Sequence, residues 1–93
     1  MNVGNIVTIE GNITPIEPKN GEDFKLKELQ EVVNGYIEIV HLDPDTFMIV
    51  NEDGKSREDV NMVATMIAFQ KKAIRSGDYI CGNVLICPEY MVK

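Results

Sequence analysis

Two cysteines and one histidine are the side chains of this sequence with the greatest capacity for chemistry. Cys81 and Cys87 lie six positions apart in the segment DYICGNVLIC. A structural zinc site needs four ligands of the Cys or His type, and a redox pair favours Cys-x-x-Cys at a helix start. In a straight strand both thiols would share one face about 20 Å apart, beyond the reach of a disulfide. We therefore expect both to be buried packing groups.

His41 and the acidic turns are weaker candidates for a reactive site. His41 precedes the turn Asp43-Pro44-Asp45, whose carboxylates could orient its ring, but no nucleophile follows at a suitable spacing. The turn begins like a calcium loop, yet Phe47 occupies the third ligand position and no glycine follows. Glycine-rich phosphate loops are also missing from the sequence. These patterns predict a protein without enzymatic activity, cofactor or metal.

Length and charge limit the class of protein. The 93 residues suffice for one domain, 1–93, and the formal net charge is −6. Such an acidic chain repels phosphate backbones, so we expect no direct nucleic-acid binding, and it suits a basic partner surface instead. The longest apolar stretches are too short to cross a bilayer, and residues 1–5 lack the regions of a secretory signal. We expect a cytoplasmic protein that does not contact membranes.

Hydrophobic periodicity predicts an α+β domain. Alternating apolar and β-branched residues predict strands at 5–10, 13–17, 36–40, 46–50 and 79–87. Pro15 favours an edge position for the second strand. Helical spacing predicts helices over 25–34 and 61–74, with Gly35 in the left-handed conformation after the first and Asn61 as N-cap of the second.

The turn at Gly54 is expected to need a positive φ, and residues 55–57 to pair back as a short strand. The element order β-β-α-β-β-α-β then predicts a small mixed, mostly antiparallel sheet of about five strands, with two helices that could cover one face.

Four segments, in their order and spacing, resemble a family of short proteins. They are FKLKELQEVVNGYIEIV, MIVNEDGK, VNMVAT and DYICGNVLICP, and they span residues 24–90. The family is a domain of unknown function from phages, conjugative elements and gut bacteria, so the resemblance implies no activity. Its pattern has Ser or Thr where Lys25 stands, which leaves Asp23 or Asn20 to cap the first helix. The resemblance also matches Asn51 and Asn61, as ligand contacts or as structural residues at a turn and a helix cap.

Three functions follow from these observations. The leading hypothesis is a non-enzymatic phage or mobile-element protein that binds and inhibits a host protein, a defence or nucleic-acid-handling factor, through its acidic surface. The alternative is a binding protein for a small nucleotide or nucleotide signal, and an enzyme comes third. Edge strands would also allow a homodimer. The predicted contact residues lie in exposed polar turns and are His41, Asp43, Asp45, Asn51, Lys55, Arg57 and Asn61.

Overall fold

A five-stranded antiparallel sheet organises the domain in the computed structural model, which describes residues 2–92. The elements in chain order are β1 (Gly4–Val7), β2 (Ile13–Ile16), α1 (Leu26–Val33), β3 (Ile37–Asp43), β4 (Thr46–Asn51), α2 (Gly54–Arg57), α3 (Met62–Gln70) and β5 (Val84–Pro88), followed by a 3₁₀ turn at Glu89–Met91. The predicted α+β class is confirmed.

The last strand, β5, is the centre of the sheet. The strand order is β2-β1-β5-β4-β3, and every ladder among these strands is antiparallel. The hairpins β1–β2 and β3–β4 therefore meet only through β5, where Leu85 lies between Ile6 and Ile49. β2 and β3 form the two outer edges, as Pro15 predicted for β2.

The two longer helices lie on opposite faces of the sheet. In β4, Met48 and Val50 pack in one core with α3, whereas Ile49 packs with α1 in a second core. Successive side chains of a strand point to opposite faces. The expectation that both helices cover one face is wrong, because β4 is buried on both sides and its apolar residues run without alternation.

The ends of α1 differ from the prediction at both termini. The left-handed residue is Asn34, with φ 61°, and not Gly35. Gly35 is needed for space, because a Cβ there would lie 2.7 Å from the Nδ2 atom of Asn51. At the other end the capping contact shown comes from Glu28, whose carboxylate accepts the Lys25 backbone N–H at 2.9 Å.

Close packing also determines the segment after β4. Residues 54–57 form the short helix α2 and do not pair back as a strand. Gly54 has no positive φ. A Cβ at this position would lie 2.9 Å from the backbone oxygen of Cys81, so glycine allows α2 to approach that segment.

The predicted strand over 79–87 begins only at Val84. Gly82, with φ +85°, turns the chain, and Cys81 forms an isolated bridge to Val60. Cys87 continues in β5 and packs in the α1-side core. The two cysteines therefore do not share one strand, but both are free and buried, which confirms their predicted role in packing.

Asn61 joins α3 to the sheet. It is fully buried, and its Oδ1 atom accepts the Ala64 N–H at 3.0 Å, which confirms the predicted N-cap. Its Nδ2 atom donates to the backbone oxygens of Val7, at 3.0 Å, and Gly82, at 2.8 Å. One amide thus connects the helix start, β1 and the segment that leads into β5.

We expect Asn61→Ala to lower the free energy of unfolding by about 2–3 kcal/mol, because it removes the cap and both carbonyl contacts. Urea denaturation measures the change. The exposed turn residue Asn12 gives the control, since Asn12→Ala should stay within about 0.5 kcal/mol of the parent protein. Equal effects of the two substitutions would contradict the role assigned to Asn61.

The pH dependence of stability tests the burial of Cys87. Burial raises the pKa of its thiol from 9.0 to about 11. Between pH 9.0 and about pH 11 the Cys87 thiol loses its proton in the unfolded chain but keeps it in the folded chain. The free energy of unfolding therefore falls as the pH rises. At pH 10 the loss amounts to about 1 kcal/mol. Denaturation at pH 8 and pH 10 should show this loss in the parent protein beyond that in Cys87→Ala, and parallel pH profiles would contradict it.

Candidate functional site

A cleft of about 830 Å³ opens on the α3 side of the sheet. Three segments line it: residues 38–41 of β3, residues 50–56 from β4 into α2, and residues 72–74 and 78–81 after α3. Val40, Val50 and Ile80 give it an apolar floor that is continuous with the α3-side core. Its volume lies within the range of small-ligand pockets.

Charged side chains surround this floor, and acids outnumber bases. Lys55 forms an ion pair with Asp78, and its ammonium lies 4.8 Å from the centre of the Tyr79 ring. The ion pair raises the pKa of Lys55 and lowers the pKa of Asp78, so both are charged at neutral pH. The ionisable lining residues are the acids Glu38, Glu52, Asp53 and Asp78 and the bases Lys55 and Lys72, together with His41 and Cys81. The lining is therefore net negative.

The cleft brings together only part of the predicted contact set. His41, Asn51 and Lys55 line it, whereas Asp43, Asp45, Arg57 and Asn61 do not. Asp43 and Asp45 belong to the β3–β4 turn, Arg57 lines a separate depression, and Asn61 is buried below the surface.

The β3–β4 turn is closed by its own side chains. The Thr46 hydroxyl and then the Asp45 N–H bind the carboxylate of Asp43 and lower its pKa, and Lys71 lies 3.5 Å from the same carboxylate. The exposed His41 ring packs edge-on against Phe47, with ring centres 4.9 Å apart. These contacts account for the turn without a bound ligand.

Asn51 borders the cleft, but its buried amide bonds to the end of α1, which packs on the opposite face of the sheet. Its Nδ2 atom donates to the backbone oxygens of Val33, at 2.9 Å, and Asn34, at 3.2 Å, while its Oδ1 accepts the Asp53 N–H at 2.7 Å. Asn51 ends β4 without a positive φ, so its structural role depends on these side-chain hydrogen bonds and not on unusual backbone angles. Its side chain ties α1 to the turn before α2.

Arg57 belongs to a different surface. It lies with Gln30, Gly35 and Tyr36 around a shallow depression of about 190 Å³. Lys55 and Arg57 are two residues apart in α2, so they point in different directions around a helical turn. Lys55 and Arg57 therefore do not border the same cavity.

Cys81 is the thiol that borders the cleft. It is buried, and this burial raises the pKa of its thiol, an effect that Lys55 opposes. At neutral pH the thiol is protonated and a weak nucleophile. Its contribution to the cleft is packing against Gly54, whose missing side chain leaves room for it.

The predicted set missed Glu52, Asp53 and Ser56, which line the cleft beside Asn51 and Lys55. It also missed four more distant lining residues: Glu38, Lys72, Asp78 and Tyr79. Glu38 had a detectable signal, because strand alternation puts it on the same face as Val40. The other three follow α3 in an irregular segment whose path depends on tertiary contacts. One such contact is the Ile80 N–H, which donates to the Thr65 hydroxyl at 2.9 Å.

Neither a metal-binding cluster nor a membrane-spanning helix is found within residues 2–92. Within residues 2–92, no three side chains of the His, Cys, Asp or Glu type converge where they could hold a metal ion. In the same range, no helix has the length and apolar character needed to cross a membrane.

Comparison with known proteins agrees with the resemblance seen in the sequence. The model of a domain of unknown function, DUF3846, matches residues 4–90. No curated protein and no solved structure matches the chain. Because the match includes all five strands and all three helices, the chain belongs to the DUF3846 family.

Proposed function

We propose that this chain is a non-enzymatic accessory protein of a phage or mobile element, and that it inhibits a host protein by binding it. The observation that carries the proposal is the cleft, whose apolar floor lies under a rim with more carboxylates than ammonium groups. A partner that presents a lysine or arginine side chain fits both features.

A lysine or arginine side chain matches both the apolar floor and the acidic rim of this cleft. Its aliphatic stem packs on apolar surface such as Val40, Val50 and Ile80, while its charged end stays near water. Carboxylates on the rim, Glu38 and Glu52 among them, accept charge-assisted hydrogen bonds from that end.

The charge of the whole chain supports the same partner. A net charge of −6 attracts basic surfaces over a distance and repels nucleic acid. Host surfaces that hold nucleic acid are basic, so an acidic protein bound there excludes their normal ligand. Inhibition of a host defence or nucleic-acid-handling protein follows from this competition.

Charge reversal in the cleft tests the proposal. We expect the parent chain, used as bait in a host lysate, to retain a stoichiometric partner that is released as salt rises. The variant Glu38→Lys/Glu52→Lys should weaken binding of that partner at least about tenfold, because it replaces attraction with repulsion in the cleft. Isothermal titration with the purified partner measures the loss.

A matched control separates the cleft from total charge. Glu17→Lys/Glu22→Lys makes the same change in net charge at exposed residues that do not line the cleft. We expect this control to bind within about twofold to threefold of the parent chain. Equal loss in both variants, or no stoichiometric partner at any salt concentration, would reject binding through the cleft.

Binding of a small nucleotide is a second candidate function. The cleft has a suitable volume, and Lys55, Lys72 and Tyr79 place two cations and one aromatic ring around it. The excess of carboxylates opposes a phosphate group, which is why this function ranks second.

A thermal-shift series against nucleotides distinguishes the two candidates. A nucleotide at about 100 times its Kd should stabilise the protein by about 2.7 kcal/mol and raise its Tm by several degrees. The shift should disappear in Lys72→Ala and persist in Arg57→Ala, because only Lys72 lines the cleft. Absence of any shift across the series would reject this candidate.

A further inference from the structure

The outer face of α3 is an apolar surface that the fold leaves uncovered. Met62, Met66 and Phe69 are 64%, 56% and 52% exposed, while Ala64 and Ala68 on the opposite side are fully buried. Exposed residues at positions i, i+4 and i+7 fall within an arc of about 60° on a helix. They form one continuous stripe, which we call the α3 stripe.

The composition of the helix makes this stripe unusual for a free surface. Met62–Gln70 contains no charged residue, so apolar side chains occur on its solvent side as well as on its core side. A helix that is apolar all round is normally buried on all sides. Methionine and phenylalanine are also enriched at the centres of protein interfaces, where the flexible thioether adapts to its partner.

Charges of opposite sign flank the two ends of the α3 stripe. Glu58 and Asp59 precede the helix, and Lys72 and Arg75 follow it. Asp59, Lys72 and Arg75 are exposed. The α3 stripe thus runs along about 13 Å of helix, between an acidic segment of the chain before the helix and a basic segment after it.

This charge order complements a second copy of itself in one orientation. In an antiparallel pair with its two-fold axis at Met66, each residue that lies n positions before Met66 meets the residue n positions after it. Met62 then faces Gln70, next to Phe69, on the other helix, and the acidic segment before each helix lies at the same end as the basic segment after the other helix. A parallel pair would place acid against acid and base against base.

We propose that the α3 stripe is the interface of a two-fold symmetric homodimer. The two helices pack antiparallel, with the apolar side chains of both copies in the centre and an acidic end against a basic end on either side. The proposal concerns a surface outside the cleft floor and does not depend on the proposed function.

The area of the stripe sets the strength of the dimer. Three side chains with this exposure present on the order of 300–400 Å², whereas a standard interface buries about 800 Å² on each partner. The dimer is therefore weak and depends on concentration. Association through the outer strands competes poorly, because β2 contains Pro15 and β3 changes register between His41 and Asp43.

Sedimentation equilibrium from about 10 μM to about 1 mM tests the dimer. We expect the mass of the parent chain to rise from 10.4 kDa towards twice that value. Met66→Glu should remain a monomer, because it places two like charges at the two-fold axis. Leu26→Glu is the matched control, since Leu26 in α1 is also 56% exposed, and it should dimerise like the parent chain.

A charge exchange gives a second test with variants whose altered side chains are exposed. Asp59→Lys and Arg75→Glu should each remain monomeric, because each brings like charges together at both ends of the interface. An equimolar mixture of the two should recover the dimer, since every end contact is again between opposite charges. Circular dichroism shows whether Met66→Glu folds. If it does not fold, the two charge variants still test the dimer.

Three outcomes would overturn the proposal: a parent chain that stays monomeric to about 1 mM, a folded Met66→Glu variant that still dimerises, or a charge-exchange mixture that does not recover the dimer. A monomeric parent chain whose captured host partner is lost in Met66→Glu would assign the α3 stripe to that partner instead.

Discussion

The position of β5 between two hairpins is the constraint on which the domain depends. Neither hairpin contacts the other inside the sheet, so the pairing of β5 with β1 and β4 makes one sheet out of two. The side chains of β5 also supply both cores, with Val84 on the α3 side and Leu85 and Cys87 on the α1 side. A strand in this role must be apolar on both faces, which explains why a cysteine serves here as a small hydrophobic residue.

Buried asparagine amides and closely packed glycines then hold the loops around that sheet in place. Asn61 connects the start of α3 to β1 and to the segment that leads into β5. Asn51 connects α1 to the turn before α2. Gly35 and Gly54 leave room for Asn51 and Cys81, respectively. Among the described residues no buried side-chain nitrogen or oxygen lacks a hydrogen-bond partner. The segments around the cleft are consequently held by buried amides and close packing, and not by the exposed charges of its rim.

Local patterns predicted most of the elements, and tertiary contacts decided the rest. Alternation and helical spacing identified five strands, two helices and the cap at Asn61, since those signals lie within a few neighbouring residues. The side on which each helix packs could not be predicted, because β4 is apolar on both faces. The same limit applies to the cleft: Glu38, Glu52 and Asp78 come from three separate segments, and only the fold brings them together. The sequence predicted that Gly35 and Gly54 are needed for left-handed backbone angles. Glycine is needed at both positions because Asn51 and Cys81 lie too close to admit a side chain.

The outer strands have a consequence for how this chain behaves when it is concentrated. An open sheet can grow without limit if its border strands accept further strands. Here β2 carries a proline, which lacks an amide hydrogen, and the irregularity between His41 and Asp43 interrupts the straight course of β3. Both borders thus disfavour the templated addition of further strands when the protein is concentrated.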